Sequence, residues 1–169
     1  LGVRAAVLLH THAHFDHIAA AGALHRATGA PIRLHPDDRF LYDMLPEQGR
    51  LFGFRFDAPE PVTEPLADGE SIALGASAVR VIHTPGHSPG SVCFLAGDAE
   101  PVLFSGDTLF RGSIGRTDLW GGSFPAIERS IRERLYVLPD ALRVVPGHGE
   151  ETSVGAEKRT NPFVRSPGV

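Results

Sequence analysis

Hydrophobic and polar positions along the chain follow the period of strands in some stretches and of helices in others. Val3 to Leu9 is a mostly apolar, strand-like run, and Leu1-Gly2 before it has the form of a helix end with glycine in the left-handed cap position, which predicts further sequence upstream. After a histidine-rich segment, Ile18 to Thr28 is Ala-rich and periodic enough for a helix, ended by Gly29-Ala30-Pro31. Pro31 to His35 reads as a short strand and Asp37 to Leu45 as a short amphipathic helix. Pro46 to Pro65, proline-rich and without a clear period, is expected to be a long loop suited to a flexible flap. From Ser71 the pattern changes to short β-rich runs at Ser71–Leu74, Ala78–Ile82, Ser91–Leu95 and Val102–Phe104, separated by Gly or Pro turns. Phe124 to Leu138 then carries Ile127, Ile131, Leu135 and Leu138 at helical spacing behind Ser123, a candidate N-cap. Leu142–Val145 reads as another strand and Ser153–Arg159 as a short helix. Strands alternate with helices early and cluster in the middle, with no repeat of solenoid length, so the pattern predicts a mixed α/β fold.

At 169 residues the chain is sized for a single domain over 1–169. Its 42% hydrophobic and 21% charged residues are ordinary for a globular protein and exclude a disordered tail, a coiled coil or a collagen-like fibre. A net charge of −4 without any Lys/Arg block offers no electrostatic footprint for nucleic acid. The longest apolar stretch, Ile18 to Leu24, is far short of a bilayer span, and no basic stretch followed by an apolar run opens the chain. Neither membrane insertion nor export is expected, and the cytoplasm is the default compartment. Cys93 is the one cysteine, so an internal disulfide and a cysteine-based zinc knuckle are excluded. Its place in an alternating strand suits a small buried residue better than a nucleophile. The 19 glycines and 14 prolines point instead to much shaped loop, where chemistry tends to sit.

That chemistry is concentrated in Thr11-His12-Ala13-His14-Phe15-Asp16-His17, where His12, His14, Asp16 and His17 are all potential metal ligands. A chance match to this pattern is expected about once in several hundred such chains. His12 and His14 are two apart, which turns both rings to one side of an extended backbone but to nearly opposite sides of a helix, so they belong to a strand end. Asp16 and His17 fall where the chain turns into the Ala-rich helix and can aim at a second ion. Three further candidates follow apolar runs and sit beside glycines: His87 in Thr84-Pro85-Gly86-His87, Asp107 in Ser105-Gly106-Asp107-Thr108, and His148 in Pro146-Gly147-His148-Gly149. Together they exceed the ligands of one tetrahedral structural zinc and fit two ions that share Asp107, with positions left for water. His10 and His83 are expected to support the ligands or the core, and His25 and His35 to lie at the surface or in packing. Arg116, in a Gly-rich loop after Asp107, is a candidate for binding a substrate carboxylate, with an ion pair to Asp118 as the equal alternative.

Thr11 to His17, Thr84 to His87, Gly106-Asp107 and Gly147-His148-Gly149 resemble, in this order, the metal motifs of the metallo-β-lactamase fold. Gly112 to Asp118 and Asn161-Pro162-Phe163 are similar to the short, single-domain glyoxalase II-like hydrolases, and the likeness covers essentially the whole chain. The resemblance implies a four-layer αββα sandwich with His12, His14 and His87 on one metal, Asp16, His17 and His148 on the other, and Asp107 bridging. It also implies a first sheet that begins before residue 1, and the glutathione-binding helical domain of full glyoxalase II is expected to be absent. The implied activity is hydrolysis of S-2-hydroxyacylglutathione or a related small acyl-thiol by hydroxide generated at two divalent ions. Zinc is the first choice of metal, with iron or manganese as alternatives, and Asp16 also orients the attacking group. Two rivals remain: a one-iron persulfide dioxygenase using the positions of His12, His87 and Asp107, and a non-catalytic metal-binding module. The expected partner is a small-molecule thioester, without nucleic acid or membrane, and the oligomeric state is left open.

Overall fold

A computed structural model describes residues 5–165. The helix end expected at Leu1-Gly2, and the start of the strand expected from Val3, lie outside the described residues. Within them that strand is short: β1 covers Leu8–Leu9 and pairs in parallel with β2 (Ile32–Leu34). Between the two, the expected single helix comes as α1 (Phe15–Ile18) and α2 (Ala21–Thr28). Gly29 closes α2 with φ 71°, the left-handed conformation for which glycine carries no steric cost. The helix expected over Asp37–Leu45 is a single 3₁₀ turn, Pro36–Asp38, followed by α3 (Arg39–Asp43).

The expected loop over Pro46–Pro65 is ordered at both ends. Leu45–Leu51 forms α4, with Pro46 in its first turn, where a missing N–H has no intrahelical acceptor to lose. Glu64–Pro65 forms β3, the edge strand beside β2, where proline is tolerated for the same reason. Leu45, Gln48 and Gly49 are buried, so the start of this segment is anchored in the fold and is not a free flap.

The β-rich runs pair much as their pattern predicts. β4 (Ser71–Leu74), β5 (Ser77–His83), β6 (Val92–Ala96) and β7 (Val102–Gly106) form an antiparallel meander. The small hairpin of β8 (Leu109–Phe110) and β9 (Ser113–Ile114) follows. Then comes α5 (Phe124–Ser130), capped by Ser123 and continued by a π-helical turn over Ile131–Leu135. β10 (Arg143–Pro146) adds in parallel to β7, β11 (Thr152–Ser153) closes that edge, and α6 (Val154–Thr160) ends the described fold.

The side-chain period of two on β5 and β6 generates the layers. Val79, Val81, Val92 and Phe94 face Leu9 and Leu66 of the three-stranded sheet, forming the core between the sheets. Ile82 and Cys93 face the opposite way, onto Ile127, Ile131, Leu135 and Val154 of the C-terminal helices. On the far side of the first sheet, Ile32 and Leu34 pack on Ile18, Leu41, Tyr42 and Leu45. Helices, sheet, sheet and helices therefore stack as four layers. No helix among the described residues is long and apolar enough to cross a membrane.

Two buried polar side chains tie these layers to the histidine-rich loop. The Asp38 carboxylate accepts hydrogen bonds from Ala13 N at 2.9 Å, Ser88 Oγ at 2.7 Å and Gly90 N at 2.6 Å. Gln48 takes the other side of the same loop: its Nε2 donates to Ala13 O and Leu41 O, and its Oε1 accepts from Phe15 N. Asp38→Ala would strand three buried donors at about 1–3 kcal/mol each, for an expected loss of roughly 3 kcal/mol or more. Asp38→Asn, which turns one acceptor into a donor facing backbone N–H groups, should also destabilise despite its equal volume. Urea denaturation of the metal-free variants checks both, and midpoints within experimental error of the parent would refute the clamp.

Candidate metal centre

His12 and His14 stand on extended backbone beyond β1, on either side of the clamped Ala13, with His14 at φ −73° and ψ 149°. Residues two apart on such backbone project alike, and both rings meet His87 from the turn after β5. His87 Nε2 lies 2.8 Å from His14 Nδ1 and 3.3 Å from His12 Nε2. A second group forms where α1 begins. His148 Nε2, in the turn after β10, lies 3.1 Å from Asp16 Oδ2 and 3.3 Å from His17 Nε2.

Asp107, in the turn after β7, stands between the groups. Its Oδ2 is 3.6 Å from both His87 Nε2 and His148 Nε2, and its Oδ1 is 3.5 Å from His17 Nε2. Ligand atoms sharing a tetrahedral ion with bonds of about 2.0–2.1 Å are roughly 3.4 Å apart. All seven residues expected as ligands from the sequence are thus brought together, in two groups with one carboxylate common to both.

Glycine is required at Gly147 for this approach: a Cβ there would collide with Asp107 Oδ1 and come within 2.9 Å of His17 Cε1. Hydrogen bonds orient the rings from behind. His87 Nδ1–H donates to Arg116 O at 2.8 Å, leaving Nε2 for the centre, and His12 Nδ1 faces Thr11 Oγ1 at 3.1 Å in the same manner.

The electrostatics suit cations. Burial, with neighbouring imidazoles adding to it, holds His12 well below its ordinary value and His14 down to about 4, and His17 and His87 are lowered too, burial being the first cause. The neutral imidazole these shifts favour is the form that binds metal. Burial pushes Asp107 up to about 6, and its Oδ1 has no hydrogen-bond partner among the described residues. A buried carboxylate without a partner is costly, and divalent ions on either side would supply the missing charge. The side chains present therefore fit a two-ion centre.

Arg116 forms a bidentate ion pair with Asp118, Nε to Oδ1 at 2.7 Å and Nη2 to Oδ2 at 2.8 Å. Its loop is pinned from the C-terminal side. Buried Glu157 accepts from Gly112 N at 2.9 Å, and Asn161 Nδ2 donates to Ser113 O at 3.0 Å and to Glu157 at 2.9 Å. The Gly112–Asp118 and Asn161–Phe163 segments, far apart in the chain, are one structural unit. Three of the remaining four histidines lie outside the centre: His83 stacks on His35 at 4.0 Å and donates to Pro89 O, and His25 donates to Ala30 O. Cys93 is buried in the helix-facing core, where burial pushes its thiol up to about 11.

A cavity of about 330 Å³ opens on the centre between His14, Asp16, His87, Asp107 and His148 on one side and Phe15, Phe52, Leu119 and Trp120 on the other. A larger depression of about 700 Å³, around Arg80, Leu95 and Leu142, contains none of the seven residues expected as ligands. Sequence reading missed Asp38, Gln48 and the apolar wall. Asp38 follows Pro36-Asp37 and has the appearance of an ordinary acidic first turn of a helix, so nothing local announces its burial.

Over residues 6–148 the chain matches a family model described as the metallo-beta-lactamase superfamily. It is 41% identical over 162 residues to hydroxyacylglutathione hydrolase GloC of Haemophilus influenzae, an alignment covering 95% of this chain and 76% of that protein. The crystal structure of TTHA1623 in a di-iron-bound form is 43% identical with a TM-score of 0.87, covering 96% of this chain and 79% of that one. The crystal structure of BLEG-1 B3 metallo-beta-lactamase is 40% identical with a TM-score of 0.85, at 95% and 77% coverage. With the four layers, the shared carboxylate and a family match over most of its length, this chain belongs to the metallo-β-lactamase superfamily, whose fold implies a dinuclear metal site.

Proposed function

We propose that this protein is a dinuclear metal-dependent thioesterase acting on S-2-hydroxyacylglutathione or a related small acyl-thiol. The observation that carries the reading is Asp107, one carboxylate set between two ligand groups that open on one cavity. Two divalent ions held there, zinc by preference with iron or manganese equally suited to imidazole and carboxylate, would bring the pKa of water toward neutrality and draw charge from the carbonyl oxygen.

Asp16 lines the cavity with a partly exposed carboxylate, placed to accept a hydrogen bond from the attacking water and aim its lone pair at the carbonyl carbon. The C–O bond forms as an O–H bond of that water breaks, its proton passing by way of the Asp16 carboxylate to solvent, and the C–S bond breaks with its electron pair on sulfur. A thiolate departs without a strong acid, so no proton donor beyond the ligand set is required. The GloC relative supports the thioester class. We place the activity in the cytoplasm, where a free buried thiol such as Cys93 is ordinary.

A one-iron persulfide dioxygenase would use His12, His87 and Asp107 and leave Asp16, His17 and His148 without a role. Their convergence at 3.1–3.5 Å favours hydrolysis.

Asp107→Ala should lower metal content at both positions, whereas His148→Ala should empty chiefly one. Elemental analysis of the folded proteins checks this, and equal losses would contradict the sharing of Asp107. Thiol release from S-lactoylglutathione should proceed equally with and without oxygen and survive zinc reconstitution. Oxygen-dependent turnover of glutathione persulfide with negligible anaerobic thioester cleavage would overturn the hydrolase. Asp16→Ala should cost about 10²-fold or more in kcat, some 2.7 kcal/mol, measured on protein with its metal content restored.

A further inference from the structure

The side of the cavity opposite the ligands is built from apolar rings that continue outward to solvent. Phe15 and Phe52 lie with ring centroids 4.8 Å apart at 28°, and Phe54 extends the row 5.7 Å from Phe15. Trp120 closes the inner end, its ring 6.3 Å from that of the ligand residue His14. Single exposed hydrophobic residues are normal on any protein surface, but a contiguous group of them beside a reactive centre is not. Here Phe54 is 52% exposed and Phe52 45%.

Charge argues in the same direction. Among the described residues Arg116 is the one Lys or Arg lining the cavity, and both oxygens of Asp118 already hold its guanidinium. Glutathione carries two carboxylates, and seating such an arm here would bury anionic groups without a free cation to pair with them, which is unfavourable. The cavity volume of about 330 Å³ is at the small end for a ligand pocket.

Building on the thioesterase reading, we infer that Phe15, Phe52, Leu119 and Trp120 form a subsite for an apolar acyl group, aliphatic or aromatic, while the thiol arm of the substrate projects to solvent. Selectivity then resides in the acyl group and hardly at all in the thiol. Each methylene buried against the wall should raise kcat/KM about fourfold until the subsite is full. Replacing glutathione by a neutral thiol should change it by no more than about threefold, the scale of an exposed charge interaction.

Two measurements test this, one independent of turnover. Trp120 is the only tryptophan of the chain, so its fluorescence reports on the subsite in metal-free and metal-loaded protein alike. S-hexylglutathione, whose alkyl chain stands in for the acyl group and cannot be hydrolysed, should perturb the emission and bind at least tenfold tighter than S-methylglutathione. S-hexyl-N-acetylcysteamine should match it within about threefold. In kinetics, acetyl to hexanoyl thioesters of both thiols should give the rising acyl series. Phe52→Ala should flatten that series and Phe52→Leu should largely restore it, with thermal melts confirming that both variants are folded. Equal binding of the methyl and hexyl probes, or a glutathione probe preferred more than tenfold over its neutral counterpart, would overturn the subsite. Failure to cleave any thioester, with the hexyl preference intact, would instead strike the thioesterase reading and leave the subsite standing.

Discussion

The Asp38 carboxylate, buried and accepting from Ala13 N, Ser88 Oγ and Gly90 N, is the contact on which the geometry of the centre depends. Its donors belong to the two loops that carry His12, His14 and His87, one from each sheet. With Gln48 gripping Ala13 O and Phe15 N from the helical side, the irregular backbone between His12 and His14 has its polar groups satisfied without belonging to a strand. Loops that carry ligands must be held rigid by something other than sheet hydrogen bonds, and here two side chains do so.

Positioning the ligands this closely is unfavourable for the protein alone. His87, within 3.3 Å of the imidazoles of both His12 and His14, cannot readily charge, and Asp107 keeps an unpaired oxygen away from solvent. Burial therefore lowers His12, His14, His17 and His87 and raises Asp107, each toward its neutral form. Such tension is stored where a cation is meant to relieve it, and the surrounding packing is what makes it tolerable. Gly147 contributes by having no side chain, since any Cβ would enter the space between Asp107 and His17.

The fold and the centre are shared across a superfamily whose members run different reactions, so chemistry has to be argued from the walls of the cavity as well as from the ligands. On this chain those walls are unequal. One side is polar, with histidines and carboxylates, and the other is a row of aromatic rings beside Arg116, which is already paired with Asp118. That asymmetry distinguishes the ends of a substrate even though the ligand set alone treats them alike.

The residues that converge at the candidate centre were legible from the chain, because an x-His-x-His-x-Asp-His run and His87, Asp107 and His148 beside glycines are local patterns with few other uses. So were the strands from Ser71 to Phe104 and the helix behind Ser123, where a period of two or of 3.6 is written directly into the hydrophobic positions. The helix from Leu45 was not, since Pro46 reads as a breaker unless its place in the first turn is known, and the burial of Gln48 is settled by partners 7 and 35 residues away. Asp38 was equally silent, its acceptors' partners lying 25, 50 and 52 residues distant. The same holds for the aromatic wall, assembled from Phe15, Phe52 and Trp120 on separate elements. Sequence by itself determined which residues could bind metal, because ligand chemistry and spacing are local. Tertiary structure alone decided what clamps them and what faces them, because burial and contact between distant segments exist only once the sheets have packed.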